Sequence, residues 1–481
     1  RFNKEVDTDT VPRDDKKTFA MLSRGETLGV FQFGSQGITN YLKELQPSTV
    51  HDLNAMVALY RPGPMAFIPE YIKRKKNPKL VLYLDPRMEH VLKPTYGVLI
   101  YQDDVMTIAV ELAGYSWVEA DKFRKAMGKK IPEEMIAQKS RFISGCVHGG
   151  MKEASAKKLW EQIETFAAYG FNKAHAASYG NLAYQTAYMK ANFPVDYMAS
   201  LLTADSDDVE QIGETVAECT RMGITVLPPD VNESMRDFTV IHDATIRFGL
   251  SSIKNFGEGI AESIIETRGG KPFVSLGDFL ARVTDKNLNK KSLEALSMSG
   301  ALDALGERGT MLAHIETLLA YHKEHAGGSK DQSSLFTNSG SIQYIELELE
   351  AGKPATLLEK LVWEKELLGL YISGHPLDAY KEKLARQKYD IAALKKTFAP
   401  NAHTTMAGIV ERRKDILTKN GEKMAFITIA DRHDSIEAVA FPRTMAESNT
   451  ILMPGSCVVV QGRMSLRKGE QSFVIEAAKP L

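Results

Sequence analysis

The chain has 481 residues, too many for one ordinary domain and enough to bury several cores. Its 43% hydrophobic and 25% charged residues suit a soluble globular protein, and no apolar run nears the ~20 residues of a membrane span. A net charge of −1 excludes a surface coated in cationic charge but leaves room for local basic faces.

Arg1 to Asp15 is polar and charged, unlike a signal peptide, and begins without Met, so the chain reads as a fragment whose start lies upstream. From about Thr18 to about Ala204 the pattern is mainly helical. Pro62, Gly63 and Pro64 interrupt it with a rigid turn. Glu153 to Tyr169 and Tyr179 to Leu202 carry apolar residues at helical spacing. Pro228-Pro229 ends the helical run, and a short β-like stretch follows, Phe238 to Ile241 and Thr245 to Leu250, with Asp243 and Ala244 in the turn. Short helices with Gly-containing connections continue to about His325. Ala326 to Gly340, rich in Gly, Ser, Asn and Asp, reads as a linker, and Leu357 to Leu368 as a helix. Five strands close the chain: Ala407 to Val410, Ala425 to Ala430, Ile436 to Phe441, Cys457 to Arg463 and Ser472 to Glu476. Turns fall at Asn420-Gly421 and Lys468-Gly469, which suggests a small barrel such as an OB-fold. The expected class is α+β, multidomain.

Cys146, Cys219 and Cys457 are too few and too scattered for a disulfide framework or a zinc site, so a reducing cytoplasm is expected. Asp121 to Arg141 carries a net +4, with Lys122, Arg124, Lys125, Lys129, Lys130, Lys139 and Arg141 set against Asp121, Glu133 and Glu134. Such a face can neutralise phosphates; charge alone fits a solvated helical face equally well. In FAAYGFNKAHAASY, Asn172, Lys173 and His175 lie among Tyr169, Phe171 and Tyr179. Cation, amide and rings together suit a nucleoside triphosphate, although spacing alone favours an ordinary helix junction. IKNFGEGI places Gly257 and Gly259 where backbone N–H groups can approach a phosphate, as in a helix–hairpin–helix. LSMSGAL, from Leu296, reads as a degenerate second copy; a plain turn between helices is the alternative. QSSLF, from Gln332 to Phe336, sets an apolar pair inside the linker, as a disordered anchor for a partner pocket would. Asp14-Asp15, Asp103-Asp104 and Asp207-Asp208 read as caps or surface charge, since adjacent helical residues do not face one site. No nucleophile–base pair or P-loop appears.

Taken together, these segments resemble the family C replicative polymerases, the bacterial DNA polymerase III alpha subunits. The resemblance runs through DDKKTFAMLSRGETLGVFQF from Asp14, ALYRPGPM from Ala58, PTYGVLIYQDDVM from Pro94 and FRKAMGKKIPEEM from Phe123. It continues through AAYGFNKAHAASYGNLAYQTAYMKANFP from Ala167, LPPDVN from Leu227, FGLSSIKNFGEGIAESIIETR from Phe248 and LLGLYISGHPLD from Leu367. The family more often has Glu-Gln where Asp103-Asp104 stand.

The resemblance implies the end of the palm and the start of the fingers over 1–60, and fingers over 61–225. It implies a tandem helix–hairpin–helix region over 226–325, a clamp-binding linker over 326–345, a helical connector over 346–400 and an OB domain over 401–481. It implies DNA-directed DNA polymerase chemistry: a primer 3′-hydroxyl attacks a dNTP, with two Mg²⁺ ions held by palm aspartates upstream of Arg1. No catalytic or metal residue is then expected here, and the chain alone is expected to be inactive. Arg61, Asn172, Lys173, His175 and Tyr179 would meet the nucleotide. Lys125, Lys129 and Lys130 would meet nucleotide or template phosphates, and Lys254, Gly257 and Gly259 would hold DNA. Gln332, Leu335 and Phe336 would enter the sliding clamp (beta). Phe426, Phe441 and Phe473 are candidate platforms for single-stranded template, or barrel core. Primed DNA, dNTP, clamp, proofreading exonuclease and clamp-loader subunits are the implied partners, with no membrane. A non-catalytic DNA-binding and clamp-tethering module is the alternative from another class. An error-prone family C paralogue is a third, and QSSLF speaks against it.

Overall fold

The computed structural model describes residues 6–129, 132–167, 170–326, 347–385, 390–397, 401–418, 420–431, 434–467 and 470–481. Tyr169, Lys130, the QSSLF segment with Gln332, Leu335 and Phe336, and the Lys468-Gly469 turn lie outside these residues, as does nearly all of the expected linker. The chain divides into two compact units. The first comprises Arg1–Asp205, Glu214–Leu227 and Phe238–Ile246; the second comprises Ser206–Gly213, Pro228–Asp237 and Arg247–Leu481.

The first unit is helical around two cores. One gathers the helices Lys16–Arg24, Val50–Leu59, Ile68–Lys76 and Lys173–Asn192 around Leu22, Leu53, Met56, Tyr71 and Tyr184. The other packs Gln102–Ala113, Trp117–Lys129, Pro132–His148 and Glu153–Ala167 around Phe123, Phe142 and Trp160. Phe123 stacks on Trp160 at 5.6 Å, and Phe142 tilts against both.

The Lys173–Asn192 helix is rich in Ala, the strongest helix former. Asn172 caps it, accepting the His175 N–H at 2.8 Å. Its buried face is built from Ala176, Gly180, Ala183 and Ala187, so the Val50–Leu59 helix comes close. A Cβ on Gly180 would stand 2.0 Å from Asn54 Oδ1 and 2.9 Å from the Asn54 backbone nitrogen. The sequence pattern suggests continuous helix from Tyr179 to Leu202, but the chain breaks at Phe193. Pro194 lacks an N–H and its ring excludes the preceding turn, so it opens a new helix, Pro194–Ala204.

Asp52 organises the junction of several elements of the first core. This fully buried carboxylate closes a capping box at the start of its helix. It accepts Lys75 at 2.8 Å, the Ser48 and Thr49 N–H groups, and the hydroxyls of Tyr71 and Tyr96. Lys190, also fully buried, donates to the carbonyls of Glu26 and Leu28 and pairs with Glu218 at 2.5 Å. Asp15 and Asp208 cap helices, as the sequence suggests. Strands β1 (Thr225–Leu227), β2 (Thr239–His242) and β3 (Thr245–Arg247) form a small sheet in the order β1-β3-β2.

In the second unit, the turn after Ser252 leads through Asn255, at φ +70°, into the helix Glu258–Arg268. A helix Lys290–Ser299 ends on Gly300, at φ +84°, before Arg308–Ala313. Arg308 and Glu364, both buried, pair at 2.8 Å, and the guanidinium also donates to Asp303, the Met298 carbonyl and the Ser373 hydroxyl. Glu364 lies on the helix Leu357–Leu368 and also accepts the N–H groups of Ile372 and Ser373.

The remaining strands, β4 (His403–Leu417), β5 (Lys423–Ala430), β6 (Ser435–Ala440), β7 (Cys457–Arg467) and β8 (Glu470–Pro480), close a barrel in the order β4-β5-β6-β8-β7. All but β6 outrun the lengths read from sequence, β4 most of all because its end pairs on with β5 to Leu417; β6 stops at Ala440, and Phe441, expected in that strand, precedes the helix Pro442–Ser448 instead. Bulges at Val410/Arg412 and Gln461/Gly462 bend the two longest pairings, as closure requires. Phe473 is core, Phe426 is half-buried and Phe441 is exposed.

The approach at Gly180 is testable. Gly180→Ala is expected to cost about 1–3 kcal/mol by overpacking. Thermal unfolding followed by circular dichroism checks this, and an unchanged Tm would refute the close contact.

Candidate functional site

The site is built where two separate segments meet. Tyr101 and Phe171 form a parallel bridge, with Phe171 N–H donating to Ile100 and Gln102 N–H donating to Phe171 at 2.9 Å. The Gln102 side chain also donates to the Gly170 carbonyl at 3.2 Å. This exchange sets the N-terminus of Gln102–Ala113 beside that of Lys173–Asn192. First-turn N–H groups have no intrahelical partner, and both helix ends carry positive potential.

Asp103 and Asp104 answer that potential, and both converge on Lys173. Asp103 Oδ2 accepts the Lys173 backbone N–H at 2.9 Å. Asp104 Oδ1 accepts Lys173 Nζ at 2.8 Å. The expectation that neighbouring carboxylates serve separate places holds along a helix flank. It fails here because the partner crosses the helix end. Asp104 is buried, whereas the Lys173 side chain is 47% exposed. Burial pushes the Asp104 carboxyl up to about 6, with Lys173 pulling it down. The Lys173 ammonium also lies 5.5 Å over the Tyr101 ring.

Phe171, His175 and Tyr179 follow at four-residue spacing and form a row. Ring centroids stand 5.4 Å apart for Phe171–His175 and 4.2 Å for His175–Tyr179. Phe31 extends the row at 5.3 Å from Tyr179. Arg61 closes its other end, 4.5 Å over Phe171, with its Nε donating to the Ala58 carbonyl. Partial burial lowers the Arg61 pKa, short of neutralising it. The arrangement offers two cations and a half-exposed ring surface, a chemistry suited to phosphates and a flat heterocycle.

The structure thus brings Arg61, Lys173, His175 and Tyr179 together. Asn172 stands among them with its side-chain oxygen used as a cap. Sequence reasoning missed Asp104, Tyr101 and Phe31. The spacing of 171, 175 and 179 is the signal that marks the row; nothing local marks Phe31 or the Asp104 pairing. Lys125 stands apart on its own helix, exposed and paired with Asp121 at 2.7 Å. The Lys129 side chain and Lys130 lie outside the described residues.

In the second unit Lys254 and Gly257 lie in an exposed turn and Gly259 in the first turn of the helix Glu258–Arg268 that follows, exposed as well. A Cβ at either glycine would meet nothing within 4 Å, so the backbone there is open to approach. The Lys254 N–H donates to the Leu367 carbonyl at 3.0 Å, and Phe256 anchors the turn in the core. The second copy differs. A Cβ at Gly300 would stand 2.3 Å from the Arg308 guanidinium, so that turn is filled from inside. Among the described residues no group of three or more His, Cys, Asp or Glu could hold a metal. No helix described is long and apolar enough to cross a membrane.

Family models match three stretches: the bacterial DNA polymerase III alpha subunit finger domain at residues 1–150, a helix–hairpin–helix motif at 223–311 and an OB-fold nucleic acid binding domain at 404–481. Curated relatives match nearly end to end. The DNA polymerase III subunit alpha of Thermus aquaticus is 42% identical over 98% of this chain and 39% of its own length. That of Pseudomonas aeruginosa is 40% identical over 96% of this chain and 41% of its own. That of Bacillus subtilis is 37% identical over 100% of this chain and 43% of its own. The chain therefore spans about two fifths of the length of these relatives. Over the part of those proteins that it spans, the chain is a homologue of the bacterial DNA polymerase III alpha subunits.

Proposed function

We propose that this chain supplies the substrate-positioning and tethering parts of a replicative DNA-directed DNA polymerase. The observation that carries this reading is the meeting of Arg61, Lys173 and the ring row in a chain homologous to such subunits. Lys173 and Arg61 take the triphosphate of an incoming dNTP, and His175 and Tyr179 lie against its base or sugar. Asn172 fixes the helix that carries them. Lys125, with Lys129 and Lys130, meets nucleotide or template phosphates. The open turn at Lys254, Gly257 and Gly259 holds the DNA backbone without reading bases. The barrel approaches single-stranded template. Gln332, Leu335 and Phe336 dock in the sliding clamp, and proofreading and clamp-loader subunits complete the assembly in the cytoplasm.

The described residues do not fit a pair of Mg²⁺ ions: among them no group of three or more His, Cys, Asp or Glu could hold a metal. The metal-dependent step belongs to palm residues outside this chain.

The purified chain is expected to bind primed DNA and to show no primer extension with Mg²⁺. Robust extension would overturn the assignment of the catalytic ligands elsewhere. Affinity for DNA should fall with salt, and Lys254→Ala should reduce the log–log salt slope by about one. Fluorescence anisotropy across a salt series measures this; an unchanged slope removes Lys254 from the contact. Replacing Leu335 and Phe336 with Ala should abolish clamp binding in a surface-capture assay while leaving DNA affinity intact. Retained clamp binding would exclude the anchor.

A further inference from the structure

Two buried carboxylates of the first unit are held in opposite ways. Asp52 uses both oxygens, on Lys75, two backbone N–H groups and two phenols. Burial opposes its charge, yet these partners outweigh burial and keep its pKa below the ordinary value. Asp104 is 1% exposed, and among the described residues its carboxylate has one hydrogen-bond partner, Lys173 Nζ, at 2.8 Å. Its Oδ2 is buried without a partner among the described residues. The groups facing it are Asp103 on its own helix, Lys173 from the neighbouring helix and the Tyr101 phenol. Of these only Lys173 favours its charge. The helix ends supply partial positive charge, but a buried carboxylate with a single cationic partner loses most of its stabilisation once that cation turns elsewhere.

We propose that Asp104 is the exchangeable counter-ion of Lys173: a bound triphosphate takes the ammonium, and the vacated carboxyl takes up a proton from solvent. The inference rests on the nucleotide reading of Lys173 given above. The Lys173 side chain is half exposed, so its ammonium can turn outward while Asp104 stays where it is. Asp104 is then a positioning residue. It holds Lys173 when the site is empty and sets a pH-dependent threshold for its release.

The sign follows from linkage. Binding that raises a carboxyl pKa takes up protons, so affinity rises as pH falls toward the free-state pKa and levels off below it. Asp104 titrates at about 6 in the free chain, so at about pH 7.5 protonating it weakens binding by up to about thirtyfold.

The experiment is calorimetry of the full chain with dATP and Mg²⁺, from about pH 5.5 to about pH 8, in buffers of different ionisation heat. Wild type should take up about one proton per nucleotide near pH 7.5. Asp104→Asn should bind up to about thirtyfold tighter there, without that proton, and converge with wild type below about pH 6. The difference between the two chains cancels the titration of the nucleotide and of other groups. If Asp104→Asn fails to fold, Asp104→Gln takes its place. Equal proton uptake by wild type and variant overturns the counter-ion role and leaves the nucleotide reading standing. Absence of dATP binding, or Lys173→Ala binding as wild type does, overturns the nucleotide reading itself.

Discussion

Between Ile100 and Asn172 two distant stretches of backbone exchange hydrogen bonds, and the Gln102 side chain seals the exchange on the Gly170 carbonyl. The contact is small, but it links the two cores of the first unit and fixes which helix ends are neighbours. With the bridge in place, Asp103 and Asp104 have a partner across the gap and the row from Arg61 to Phe31 can assemble. Without it, the same side chains would stand on two separate helices with no common target. The local chemistry of the site is therefore a consequence of long-range pairing, 70 residues apart in the chain for the Lys173 N–H on Asp103.

The helix that carries the site is held from several sides. Small residues let it lie against Val50–Leu59, and Lys190 anchors its far end in a buried ionic cluster with Glu218 and the carbonyls of Glu26 and Leu28. An uncompensated charge at that depth would be costly, and the three acceptors around Lys190 offset it. The N-terminus is pinned by Asn172 and Asp103. A helix fixed at both ends presents its exposed rings with little freedom, which suits a surface that must meet a rigid ligand.

Much of this was legible in the residues. The Pro-Gly-Pro turn, the Leu357–Leu368 helix, the hairpin at Asp243-Ala244 and five terminal strands follow from periodicity and turn chemistry. So does the gathering of Asn172, Lys173, His175 and Tyr179, because they are close in sequence. What stayed hidden is what depends on tertiary pairing. Arg61 reached the site through the family resemblance, and its place over Phe171 is a matter of packing. Asp104 looked like surface charge because nothing local reveals that its helix start is covered. Gly300 and Gly257 look alike in sequence; only the buried Arg308 separates a filled turn from an open one. Pro194 is a different case, a signal present in the sequence and outvoted by the apolar spacing around it.

The barrel adds a constraint of another kind. Its five strands close in the order β4-β5-β6-β8-β7, with β6 and β8 joined in parallel, so every strand has two neighbours. Closure is not uniform along the strands: Arg412–Leu417 of β4 pairs with β5 but lies beyond the stretch that pairs with β7. A sheet edge can recruit an extended peptide by main-chain pairing, and closure removes that edge where both neighbours are present. The closed part of the wall can thus be read only through its exposed side chains, whereas the β4–β5 arm keeps main-chain groups open on one side.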